Sequence, residues 1–97
     1  MPNDLIEVEN ELNGVLREKR RVQEHIDALQ DDINQNEAWL MINHSGSGDY
    51  QERLEELLAL QAYVAELLAQ MASLEEVVLE LMLAREYWQN PEVLMAS

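Results

Sequence analysis

The stretch Ser45-Gly46-Ser47-Gly48 separates two apolar stripes that mirror each other. Before it, a three-four spacing runs through Leu5, Val8, Leu12, Val15, Lys19, Val22, Ile26, Leu29, Ile33, Asn36 and Leu40. After it, the same spacing runs through Leu57, Leu60, Val64, Leu67, Met71, Leu74, Val78, Leu81, Arg85 and Trp88. Steps of three and four keep residues on one face of a helix. When residues are paired so that their numbers total 93, ten layers match, from 36 with 57 down to 5 with 88. The centre of that mirror, 46.5, falls inside the Gly/Ser stretch. The pattern predicts an all-α fold, an antiparallel two-helix coiled-coil hairpin with its register specified. It does not specify an activity.

Local signals mark the ends of the helices. Asp4 and Glu7 fit an N-terminal capping box behind Pro2. Helix 1 is expected over about 4–44, with Gly14 as its one breaker. Gly46 is a candidate for a left-handed C′ position. The turn is expected over about 45–49, and Asp49 with Glu52 forms a second plausible capping box. Helix 2 is expected over about 50–90, ending where Asn90 precedes Pro91. Residues 91–97 form a short tail. The 97 residues read as a single helical-hairpin domain, each helix about 60 Å long at 1.5 Å per residue.

The two helices differ in kind. Helix 1 has a narrow apolar seam and a charged outside, as a helix with one partner would. Helix 2 carries a second apolar line beside its pairing line: Leu54, Leu58, Ala65, Leu68, Ala72, Leu79 and Met82, widened by Ala62, Ala69 and Leu83. One partner helix cannot cover both lines, and a continuous apolar strip is more than soluble monomers usually expose. The economical expectation is a homodimer in which helix 2 packs on its mate, making a four-helix bundle. A helix of another protein would fill the same groove. These seven residues are therefore the expected dimer or partner interface.

Lys and Arg total 6 against 20 Asp and Glu, a net charge of −14, and the acids are spread over both halves. Such a field repels nucleic acid and anionic membranes, which bind through Lys and Arg. A protein partner is expected, with basic groups where it meets this surface; the acid also keeps a helical oligomer soluble. The absence of cysteine excludes disulfides, thiolate catalysis and cysteine-ligated metals. No apolar run reaches membrane-spanning length, and Pro2-Asn3-Asp4 is the wrong chemistry for a signal peptide. A cytoplasmic location is the matching expectation.

Polar residues interrupt the seam at Lys19, Asn36 and Arg85. Lys19 pairs with Leu74 in the mirror, beside Glu75 and Glu76, and it clusters with Arg17, Arg20 and Arg21. Antiparallel pairing brings that cluster toward Glu75, Glu76 and Glu80, so a register-fixing charge match is favoured over an acidic-ligand site. Asn36 pairs with Leu57, and a buried Asn in a coiled coil selects register or oligomeric state. Lys19, Asn36, Leu74 and Glu75 are thus the expected register residues. Arg85 pairs with Val8 near Glu7, Glu9 and Glu11 as a solvated or paired end layer.

Chemistry for catalysis is absent from the pattern. The histidines, His25 and His44, pair with Leu68 and Asp49 in the mirror and so lie far apart. No Glu-x-x-His or His-x-x-x-His spacing occurs, so the bundle-type metal site is missing, and His44 reads as a loop histidine. Gly46-Ser47-Gly48 lacks the lysine of a phosphate loop. Consecutive acids such as Asp31-Asp32, Glu55-Glu56 and Glu75-Glu76 diverge around a helix. We expect no enzyme, no cofactor and no metal.

Trp39, near the turn, and Tyr87 with Trp88, near the open end, are candidate partner contacts, because aromatics dominate interface energetics. Asn90-Pro91 and Val93-Leu94-Met95 extend that end. Each aromatic could equally close an end of the bundle. The leading expectation is a non-enzymatic interaction module, an adaptor, chaperone or inhibitor that docks a helix face on a larger protein. The alternative is an acidic nucleic-acid mimic, of the kind small phage-encoded inhibitors use against DNA- or RNA-binding sites of host enzymes or defence complexes. In length, central turn and acidity the chain is also similar to the WXG-type secreted helical hairpins. Trp39 is followed by Leu40-Met41 rather than x-Gly, and the first acid after Tyr87 is Glu92, outside that family's tyrosine–acid spacing.

Overall fold

The computed structural model describes residues 4–43 and 45–89. Two helices, α1 (Leu5–Ile42) and α2 (Gly48–Gln89), pack against each other as a hairpin. No strand occurs among the described residues. His44 and the tail, with Asn90-Pro91 and Val93-Leu94-Met95, lie outside the described residues.

The mirrored stripes form the core. Contacts fall into two units, one joining residues up to Arg21 with those from Met71 on, the other spanning Val22–Gln70. In the first, Val8, Leu12, Met71 and Leu81 are buried, and Leu5, Val15, Lys19, Leu74, Val78 and Arg85 are half-buried. In the second, Val22, Ile26, Ile33, Leu57, Val64 and Leu67 are buried together with Asn36, and Leu29, Leu40 and Leu60 are half-buried. Each apolar stripe residue removed from water adds about 1.5–3 kcal/mol when fully covered. That gain, not intrinsic propensity, is what holds helices of this length.

Capping differs at the two starts. Asp4 caps α1 as expected: its Oδ1 accepts a 2.8 Å hydrogen bond from the Glu7 backbone N–H. The second cap is Ser47 rather than Asp49. Ser47 Oγ accepts from the Tyr50 N–H at 3.0 Å, and its carbonyl accepts from the Gln51 N–H at 3.3 Å. α2 therefore starts two residues earlier than expected, and Asp49 lies in its first turn, where a carboxylate complements the helix dipole. No glycine has a positive φ among the described residues, so the left-handed position expected of Gly46 is not found. Near the end of α1, Asn43 Nδ2 donates to the Trp39 carbonyl at 2.6 Å, satisfying one of the last free acceptors.

Candidate interaction surface

The second apolar line of α2 remains uncovered. In the turn-side unit Leu58 is 57% exposed and Leu68 54%. Ala62, Ala65 and Ala69 are also exposed, while Leu54 is half-buried. In the other unit Leu79 is 63% exposed, Met82 44% and Leu83 65%, with Ala72 exposed beside them. The partition follows from helix geometry. Leu58, Ala65, Leu68, Ala72, Leu79 and Met82 each follow a seam residue by one position and so sit about 100° around the helix from it, with Ala62, Ala69 and Leu83 further round, beyond the reach of a single neighbouring helix. α1 has no comparable line: its exposed large apolar residues are Ile6, Leu16, Met41 and Ile42.

Of the basic cluster, one member reaches across. Lys19 Nζ lies 3.7 Å from Glu75, with both side chains partly exposed. Arg21 pairs instead within α1, donating to Glu18 at 3.0 Å. Among the described residues no ion pair joins Arg17, Arg20 or Arg21 to Glu75, Glu76 or Glu80. The expected charge match therefore narrows to Lys19 and Glu75. Neighbouring residues point about 100° apart around a helix, and only Lys19 lies on the seam. Leu74, its mirror partner, is half-buried.

Asn36 is 4% exposed and receives a 2.9 Å hydrogen bond from Arg53 Nη1 on α2. The same guanidinium lies 5.1 Å from the centre of the Trp39 ring, a cation–π distance. Tyr50 is tilted against Trp39 at 6.5 Å. Trp39, Arg53, Asp49, Glu52 and Glu56 line a cleft at this place. Three carboxylates and one guanidinium make it net acidic. Trp39 is half-buried, with Arg53 laid over it, so this cleft is part of the hairpin's own packing as well as its surface. Sequence reasoning missed Arg53. Its mirror position is Leu40, next to Trp39, and that adjacency was the available signal.

The other ring contacts are local. His25 meets Tyr63 edge-on at 5.3 Å, five residues nearer the turn than its mirror partner Leu68. Tyr87 and Trp88 meet edge-on at 5.3 Å, and both stay more than two-fifths exposed. Trp88 is thus the most exposed member of the seam pattern among the described residues. No group of three or more metal-ligating side chains occurs among the described residues. No described helix is long and apolar enough to cross a membrane. No protein-family model, curated protein or solved structure matches the chain.

Proposed function

We propose that the protein is a non-enzymatic interaction module that buries the second apolar line of α2 against another helix. That helix belongs to a second copy, making a homodimer, or to a larger protein. The observation that carries this reading is the contrast within one helix. The pairing line is buried against α1, while Leu58, Leu68, Leu79, Met82 and Leu83 stay open to water. Apolar faces supply affinity, and a net charge of −14 favours a partner with basic groups.

The test is affinity capture from the native host with the natural chain and with Leu58→Glu/Leu79→Glu, each washed at low and at about 0.5 M salt, where the Debye length falls to about 4 Å. The natural chain is expected to retain a stoichiometric partner through the high-salt wash and the double variant to lose it. Capture that ignores both substitutions would overturn the reading. A partner released by salt alone would instead favour carboxylates imitating nucleic-acid phosphates.

A further inference from the structure

We infer that the second apolar line of α2 is occupied by the α2 of a second copy, running antiparallel about a twofold axis at Leu68. This rests on the reading of that line as an interaction surface and adds its occupant and register. A twofold contact uses one patch on both copies, so the patch must complement its own reverse. The line does so at every step between Gln51 and Glu86. Leu68 meets itself. Ala65 falls level with Ala72, Leu58 with Leu79, and Leu54 with Met82, small with small and large with large. The paired numbers total 136 or 137 throughout. A line shaped only for an unrelated helix has no reason to read the same in both directions.

The polar positions decide the direction. Gln61 falls level with Glu75, and Gln51 with Glu86. Each carboxylate thereby faces an amide that can donate to it. A parallel arrangement would set Glu75 beside Glu75 and Glu86 beside Glu86, two like-charge contacts. Glu75 is also the carboxylate already paired with Lys19 at 3.7 Å, which lowers its charge toward a neighbour. The centre of the line is the least charged part of α2. Between Leu57 and Leu74 the one charged residue is Glu66, a position past Ala65 and off the line. Two chains of charge −14 can approach there with the least repulsion. Ala65 and Ala72 beside Leu68 leave room for the axes to come to the short end of the usual 8–10 Å spacing.

The chain has no cysteine, which makes crosslinking clean. Leu68→Cys is expected to give a disulfide-linked dimer under mild oxidation. Leu58→Cys and Leu79→Cys are expected to crosslink poorly alone and efficiently when mixed. The natural protein is expected to sediment at twice 11.2 kDa, with the dimer tightening as salt screens the acids. Circular dichroism confirms that each variant keeps its helix. Self-crosslinking of Leu58→Cys would show a parallel pair and overturn the inference. So would a dimer in which Leu68→Cys does not link, because the axis would then lie elsewhere. A monomer at all concentrations would also overturn it. The interaction reading is judged separately, by the capture experiment.

Discussion

Replacing Asn36 with Leu should stabilise the hairpin although it deletes an interhelical hydrogen bond. Asn36 is 4% exposed and sits in the apolar stripe between Ile33 and Leu40. The substitution removes the 2.9 Å bond from Arg53 Nη1. Hydrogen bonds to charged groups are worth about 1.5–3 kcal/mol, but Arg53 is exposed. Its guanidinium returns to water and keeps its contact with Trp39, so the realised loss falls to about 1 kcal/mol. A fully covered Leu adds about 1.5–3 kcal/mol. The net expectation is roughly +1 kcal/mol, or a rise in Tm of about 4–8 °C for a chain of this size.

Arg53→Ala runs the other way. It loses a cation–π contact of about 0.5–1 kcal/mol and leaves the buried Asn36 carbonyl without its donor, which costs about 1–3 kcal/mol. In the Asn36→Leu background only the first loss remains. The pair should therefore show a coupling of about 1–3 kcal/mol in a double-mutant cycle. Thermal melts by circular dichroism at one fixed chain concentration measure all four species, since association would otherwise shift Tm. An Asn36→Leu variant less stable than the natural chain would refute the reasoning. It would mean that the asparagine supports more than the bond to Arg53.

Two smaller substitutions test the local structure by the same melts. Ser47→Ala should cost about 1 kcal/mol through loss of the α2 cap, and Asp49→Ala less, about 0.3–1 kcal/mol from the dipole alone; the reverse order would restore Asp49 as the cap. Gly14→Ala should stabilise α1 by about 1 kcal/mol, because a Cβ there meets nothing within 4 Å, and a drop in Tm would show that the position is more crowded than its geometry.

The seam was legible because burial in a hairpin is a periodic property. Every stripe residue of α1 from Leu5 to Leu40 is buried or half-buried, as are those of α2 from Leu57 to Arg85. Trp88 breaks the pattern at the open end. What escaped the sequence depended on competition between near-equals or on side-chain reach. Ser47 and Asp49 are both good N-caps, and propensity alone cannot choose between sites two residues apart. Arg53 lies opposite Leu40, one step before the apolar pairing line begins at Leu57, and a charged side chain there reads as solvated. Its length lets it touch Asn36 and Trp39 on the other helix. Arg17, Arg20 and Arg21 look like one cluster with Lys19 in the sequence, yet helical geometry turns the face they share about 100–160° away from the seam position that Lys19 holds.

The uncovered line of α2 sets the scale of any association. Leu58, Leu68, Leu79, Met82 and Leu83 are each about half exposed, so covering one adds about 0.8–1.5 kcal/mol. Doubled by twofold symmetry, the five give about 8–15 kcal/mol before costs. Lost translational and rotational freedom opposes association by an estimated 4–15 kcal/mol. The two magnitudes overlap, so the apolar line alone does not decide whether chains pair at micromolar concentration. Repulsion between two charges of −14 acts on that narrow margin. Screening it shifts the balance toward the dimer, whereas a contact held by ion pairs would weaken under the same salt. The sign of the salt dependence therefore reports which force closes α2.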